Sequence, residues 1–69
     1  MINKKEIGKK LYELRTELGK SRKEVAEDIG ISVSALQMYE NGNRIPRDYI
    51  KVKLAEYFNT TVQEIFFND

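Results

Sequence analysis

The sequence contains no cysteine, no histidine and no tryptophan, and only one proline among its 69 residues. Without cysteine the chain cannot form disulfides or thiolate metal sites, and without histidine it lacks the commonest metal ligand and the usual general base at neutral pH. It also shows no phosphate-cradling glycine loop and no metal-ligand cluster. We therefore expect a protein that is not an enzyme and that needs no metal, cofactor or small-molecule ligand.

Long apolar runs are missing as well. No stretch approaches the roughly 20 apolar residues of a membrane-spanning helix, and the N-terminus has no apolar segment of the signal-peptide type. A length of 69 residues suits one small domain and leaves no room for a separate catalytic domain. These absences predict a soluble, cytoplasmic protein in which residues 1–69 form a single domain.

Charge is nearly balanced overall but is unevenly distributed. The formal net charge is only +1. Residues 41–53 carry four basic side chains and one acidic side chain, a local charge of +3. Residues 54–69 carry three acidic side chains and no basic one, a local charge of −3. One end of the molecule is therefore expected to attract phosphate and the other to repel it.

Helix start and stop signals divide the chain into helices. Ser21 and Glu24 form a capping-box pattern, in which each side chain accepts a hydrogen bond from the other residue's backbone N–H. Gly30 suits a helix C-terminus, and Ser32, two residues later, can cap the next helix. The same signals predict an all-α domain of five helices: one between Asn3 and Gly19, then residues 22–29, 33–40 and 47–58, and a last short helix opened by a Thr61–Glu64 capping box.

Apolar residues recur at helical spacing and predict the core. In the first helix the spacings are 4, 3 and 4, which define one face formed by Ile7, Leu11, Leu14 and Leu18. Ile2 is expected to pack against Ile7 as a hydrophobic staple. Two aromatic residues, Tyr57 and Phe66, are expected in the core. Two others, Tyr12 and Phe67, can be either exposed or part of a dimer interface.

Residues 21–46 contain the most informative pattern, because only Gly30 and Ile31 separate two short helices. So short a connection makes the helices cross steeply, as in a helix-turn-helix that presents its second helix to a DNA groove. At about 100° per residue, with Leu36 directed inward, one group of third-helix residues faces outward. This group consists of Ser34, Gln37, Met38 and Asn41.

Two residues of the third helix are unusual for their positions. Met38 is apolar on the outward face, which is common on any surface. Beside Ser34 and Gln37, however, it also suits contacts to base edges and thymine methyl groups. Glu40 falls on the inward face, where an unpaired charge would cost several kcal/mol. Arg15 borders the apolar face of the first helix, so we predict that it pairs with Glu40.

Across residues 7–66 the sequence resembles the Cro/CI-type helix-turn-helix domain, the XRE family of bacterial and phage transcriptional regulators. The matching motifs are LYELRTELGKS, EVAEDIGIS and SALQMYENGNRIP. The resemblance implies a compact, lambda-repressor-like, five-helix DNA-binding domain whose third helix lies in the major groove.

The resemblance also implies roles for individual residues. The base-reading positions correspond to Ser32, Val33, Ser34, Gln37 and Met38. The phosphate-contacting positions correspond to Ser21, Arg22, Asn41, Arg44 and Arg47. The interhelical ion pair corresponds to Arg15 and Glu40. Three departures matter: Arg22 replaces a common Gln, which favours a phosphate contact, and Val33 and Met38 replace polar base readers, which favours readout of DNA shape.

These features predict a sequence-specific, DNA-binding transcriptional regulator, a Cro-like repressor that acts as a homodimer on a palindromic operator. Residues 61–69, with Phe67, are the candidate two-fold contact. An alternative of a different class is a protein-interaction module with the same fold, such as an antitoxin or a regulator-binding partner. A steep loss of affinity for duplex DNA with rising salt distinguishes the first function from the second.

Overall fold

The computed structural model describes residues 3–67, which form five α-helices and contain no strand. The helices are α1 (Lys4–Glu17), α2 (Arg22–Ile29), α3 (Val33–Glu40), α4 (Asp48–Tyr57) and α5 (Val62–Phe66). The all-α, five-helix prediction is confirmed. Helices α2 and α3 have the expected boundaries, whereas α4 is one residue shorter at each end because Arg47 and Phe58 are its capping residues. Within residues 3–67 no helix is both long enough and apolar enough to cross a membrane.

Side-chain caps begin four of the five helices. The capping residues, each accepting a hydrogen bond from the backbone N–H three residues later at 2.9–3.1 Å, are Asn3, Ser21, Ser32 and Thr61. The carboxylate of Glu24 accepts the Ser21 N–H at 2.9 Å, and this bond lowers the pKa of Glu24 below its usual value. For the capping box expected at Thr61 and Glu64, the described hydrogen bonds include one of the two: the Thr61 hydroxyl oxygen accepts the Glu64 N–H. The staple expected at Ile2 lies outside the described residues.

Apolar side chains from all five helices meet in one core. The most deeply buried of them are Leu11, Val25, Leu36, Leu54 and Ile65. Phe66 is buried, as expected. The prediction for Leu18 is wrong, because this side chain is 52% exposed. Leu18 is the C-cap of α1 and still has a helical conformation, with a φ of −77°, but the chain turns away at Gly19 with a φ of 71° and leaves this last side chain of the apolar face outside the core.

Helix α1 and the C-terminal end of α3 approach each other closely at Gly8. A Cβ atom at this position would lie 2.6 Å from the carbonyl oxygen of Tyr39 and closer still to that of Glu40. Real side chains do not tolerate such distances from backbone atoms, so the packing requires glycine. Because helical side chains point toward the helix N-terminus, Arg15 on α1 is directed back to this crossing.

Polar contacts attach α4 to the end of α2. The Tyr57 hydroxyl donates a hydrogen bond to Asp28 Oδ2 at 2.6 Å, and this bond raises the pKa of Tyr57 to about 12. Lys53 Nζ donates to the carbonyl oxygen of Ile29 at 3.2 Å. Tyr57 was expected in the core, but it is only half-buried, with its ring nearly perpendicular to that of Phe58 and its hydroxyl at the surface. These contacts hold the end of α2 from which the chain turns into α3.

Candidate nucleic-acid interface

A tight turn connects α2 to α3. Gly30 has a φ of 81°, a conformation that glycine adopts without strain. The backbone N–H groups of Gly30 and Ile31 both donate to the carbonyl oxygen of Ala26 at 2.9 Å. Ser32 then caps α3 by accepting the N–H of Ala35 at 3.0 Å. Local hydrogen bonds therefore fix where α3 begins relative to α2.

The exposed face of α3, together with the N-cap Ser32, presents a small, mostly polar surface. The structure brings together the exposed side chains of Ser32, Ser34 and Gln37, together with Val33, which is 41% exposed. Met38 was expected to face outward, but its side chain is half-buried. At the C-terminus of α3, the Asn43 N–H donates to the Met38 carbonyl oxygen at 2.9 Å, a local bond that closes the end of the helix.

The capping serines keep a hydroxyl proton for a further partner. Both Ser21 and Ser32 accept a backbone N–H through Oγ, and a hydroxyl that accepts can still donate its own proton. The backbone N–H of Ser21 already donates to the Glu24 carboxylate. A phosphate oxygen near Ser21 would therefore be bound through the hydroxyl group.

The loop between α3 and α4 carries the exposed basic residues expected from the sequence. Asn41 is the C-cap of α3, and its side chain is exposed. Gly42 follows with a φ of 77° and packs against the backbone of Lys5 in α1. Arg44 and Arg47 are exposed, and Arg47 precedes the first turn of α4. The loop that follows α3 thus carries two exposed guanidinium groups.

A buried ion pair joins α1 to α3. Arg15 Nε donates to Glu40 Oε2 at 2.7 Å, and Arg15 Nη2 donates to Glu40 Oε1 at 3.1 Å. The side chains are 9% and 2% exposed, respectively. Arg15 Nη1 also donates to the Lys20 carbonyl oxygen at 2.9 Å. The hydrogen bonds to Glu40 raise the pKa of Arg15, because they stabilise its charged form.

Sequence reasoning missed a second arginine at this carboxylate. Arg22, the first residue of α2, donates from Nε to Glu40 Oε1 at 2.8 Å, and its side chain is 36% exposed. A signal was present, because a cation in the first turn of a helix opposes the helix dipole and calls for a nearby anion. Glu40 therefore accepts three charged hydrogen bonds from two arginines, and these connect α1, α2 and α3.

Comparison with protein-family models matches residues 11–65 to the family described as Helix-turn-helix. A search of curated proteins found no significant match. Among solved structures, the DNA-binding domain of BldD is 30% identical, with a TM-score of 0.76 over 90% of each chain. The clp gene regulator ClgR from C. glutamicum is 18% identical, with a TM-score of 0.82 over 97% of this chain and 87% of that one.

ComR from Streptococcus suis is also similar, with 23% identity and a TM-score of 0.87. It aligns with 100% of this chain, which spans 23% of the length of the ComR chain. The likeness to ClgR and ComR concerns the fold. The family match extends over most of the 69 residues and includes the turn, α3 and the basic loop. The chain therefore belongs to the Cro/CI-type helix-turn-helix family.

Proposed function

We propose that this protein, a DNA-binding transcriptional regulator by family, is a repressor that binds a palindromic operator as a homodimer. In each half-site α3 would lie in the major groove with its exposed face toward the bases. The observation that carries the proposal is the exposed surface of Ser32, Val33, Ser34 and Gln37, which lies on a helix fixed at both ends and followed in the chain by a loop with two exposed arginines.

Base recognition is assigned to Ser32, Val33, Ser34, Gln37 and Met38. The Gln37 amide has a donor and an acceptor and suits adenine, whereas Val33 suits a thymine methyl group. Serine hydroxyls accept or donate and therefore discriminate less between bases. Because Met38 is partly covered, the set of hydrogen-bonding base readers is small. We therefore expect DNA shape to contribute to specificity.

Substitution of Gln37 tests the base-reading surface. Gln37→Ala is expected to weaken binding to a selected operator by about 1–3 kcal/mol and to relax the preference at one base position. Binding to mixed-sequence duplex should change little, because phosphate contacts dominate there. Fluorescence anisotropy on both duplexes measures the difference. The matched control is Thr16→Ala, which removes an exposed, uncharged polar side chain from α1. Equal losses on both duplexes would exclude Gln37 from base recognition.

Phosphate contacts are assigned to Ser21, Arg22, Asn41, Arg44 and Arg47. Arg44→Ala and Arg47→Ala should each weaken binding to the selected duplex and to the mixed-sequence duplex alike. Each should also reduce the slope of log affinity against log salt by about one unit. The charge-matched control is Lys9→Ala, which removes an exposed positive charge from α1. If neither arginine variant changed the slope more than the control does, the DNA would have to bind another surface.

The two-fold contact is assigned to residues 61–69, with Phe67 as its main side chain. Phe67 is 52% exposed, and Lys51 Nζ lies 5.1 Å from its ring centroid, which holds the ring against α4. Two copies should occupy one operator, with half-site centres about 34–36 Å apart. Phe67→Ala should weaken pairing on DNA, whereas Tyr49→Ala, at a 59% exposed ring on α4, should not.

Analytical ultracentrifugation of the saturated complex measures this stoichiometry. A single protein per saturated operator would contradict the homodimer. Weakened pairing for Tyr49→Ala and not for Phe67→Ala would move the two-fold contact to the exposed side of α4.

A further inference from the structure

We infer that Glu40, although buried, is a positioning residue for DNA binding, because it fixes the direction in which Arg22 presents its guanidinium group to a phosphate. The inference rests on the proposed function and adds a residue that contacts no DNA. It also gives Arg22 a role that Arg15, the other arginine bound to Glu40, does not have.

Arg15 alone is sufficient to stabilise the buried carboxylate. It donates to Oε2 at 2.7 Å and to Oε1 at 3.1 Å, so both oxygens of Glu40 already have a charged partner. This two-bond geometry is the strongest that an arginine and a carboxylate form. The bond from Arg22 is therefore not required to neutralise Glu40.

Arg22 differs from Arg15 in its exposure. Its side chain is 36% exposed, compared with 9% for Arg15, and its contact with Glu40 is made through Nε at 2.8 Å. A guanidinium group has five N–H donors, and its terminal NH₂ groups can donate to a second anion while Nε stays on the carboxylate. Glu40 thus holds one edge of the group and leaves the terminal groups for a phosphate.

The charge of the cluster also favours an additional anion. Two arginines and one glutamate have a net charge of +1. Because Arg15 offsets the charge of Glu40, the carboxylate orients Arg22 without cancelling its attraction for phosphate. An arginine held in one orientation loses less rotamer entropy when it binds than a mobile one does. The result is a guanidinium group that is oriented before DNA arrives.

Arginine is specifically required for this arrangement. Its rigid planar fork separates the Nε edge from the terminal NH₂ groups, whereas lysine offers a single compact ammonium on a flexible stem. Arg22→Lys keeps the positive charge but should lose the bridge between Glu40 and phosphate. A merely electrostatic role for Arg22 would be preserved in the same variant.

A double-mutant cycle on DNA affinity tests the inference. The variants are Arg22→Ala, Glu40→Gln and the double variant, measured on mixed-sequence duplex at a temperature where circular dichroism shows all of them folded. Arg22→Ala should weaken binding about tenfold in the native background and only about twofold in the Glu40→Gln background, a difference within the usual range of coupling between contacting residues. Arg22→Lys should lose most of the DNA affinity that Arg22→Ala loses.

Arg44→Ala is the control, because the inference links Glu40 only to Arg22. It should weaken DNA binding by the same factor in both backgrounds. That result would show that Glu40→Gln has not simply loosened the domain. Equal costs of Arg22→Ala in both backgrounds would overturn the inference, and so would an Arg22→Lys variant that binds like the native protein. The lysine comparison needs no change at Glu40, so it can still overturn the inference if Glu40→Gln fails to fold.

Failure of the inference is distinguishable from failure of the proposed function. If the native protein does not bind duplex DNA, both are wrong. If it binds and Arg44→Ala weakens it, but Arg22 and Glu40 are not coupled, DNA binding stands and only the positioning role of Glu40 is wrong.

Discussion

Glu40→Ala is expected to destabilise the domain by about 3–5 kcal/mol, because it leaves the buried guanidinium group of Arg15 without its carboxylate. Net stabilities of small domains are only about 5–15 kcal/mol, so a loss of this size is a large share of the total. Urea unfolding followed by circular dichroism measures the free energy of unfolding.

The control compares the two partners of Glu40. Arg15→Ala should reduce the free energy of unfolding less than Glu40→Ala does, because Arg22 remains 2.8 Å from Glu40 Oε1 and keeps the carboxylate paired. Replacing Arg15 and Glu40 together by apolar residues of similar volume should recover much of the loss. A coupling energy near zero between Arg15 and Glu40 would show that packing alone holds α3 against α1.

Gly8→Ala is expected to reduce the free energy of unfolding by about 1–3 kcal/mol, the usual cost of an extra methyl group in a packed site. In an ordinary helix interior the same change is stabilising by about 1 kcal/mol, so the expected sign is reversed here. The reason is the position of the new Cβ, which would lie 2.6 Å from the Tyr39 carbonyl oxygen. Backbone atoms cannot move away as a flexible side chain could, so α1 and α3 would have to separate.

The matched control for Gly8→Ala is Lys9→Ala, one residue further along the same helix at an exposed position. It should change stability by no more than about 0.5 kcal/mol. Urea unfolding of both variants gives the comparison. A Gly8→Ala variant more stable than the native protein would contradict the close approach of α1 and α3.

Both expected effects concern the C-terminal half of α3. Leu36, Tyr39 and Glu40 form the buried face of this helix, whereas the exposed residues assigned to base recognition lie on its other side and at its N-cap. The helix is thus attached to the domain by one face and exposed on the other. Changes of side chains on the exposed face should therefore alter DNA specificity at little cost in stability.

The boundaries of α2 and α3 could be predicted from the sequence, because the signals that start and end these helices are local. Ser21, Glu24, Gly30 and Ser32 act on backbone groups within a few residues of themselves, so their effects do not depend on the tertiary structure. This is why the boundaries of α2 and α3 agree with the structure.

Features that depend on long-range packing could not be read in the same way. In the sequence Gly8 is only an unfavourable residue in a helix, and its role appears when α3 is placed against it. Arg22 and Glu40 are 18 positions apart, so their contact follows from how α2 and α3 cross. Leu18 fits the apolar spacing of α1 and is nevertheless exposed, because it is the last helical residue and the chain turns away at Gly19.

The most direct test of the central claim, sequence-specific DNA binding, is selection of bound sequences from a random duplex pool by the native protein. The affinity for the selected and the mixed-sequence duplex is then measured over a range of salt concentrations. We predict enrichment of two half-sites related by two-fold symmetry and a steep, linear fall of log affinity with log salt. A protein-interaction module would enrich no sequence, and failure to retain duplex DNA even at low salt would contradict the proposed function.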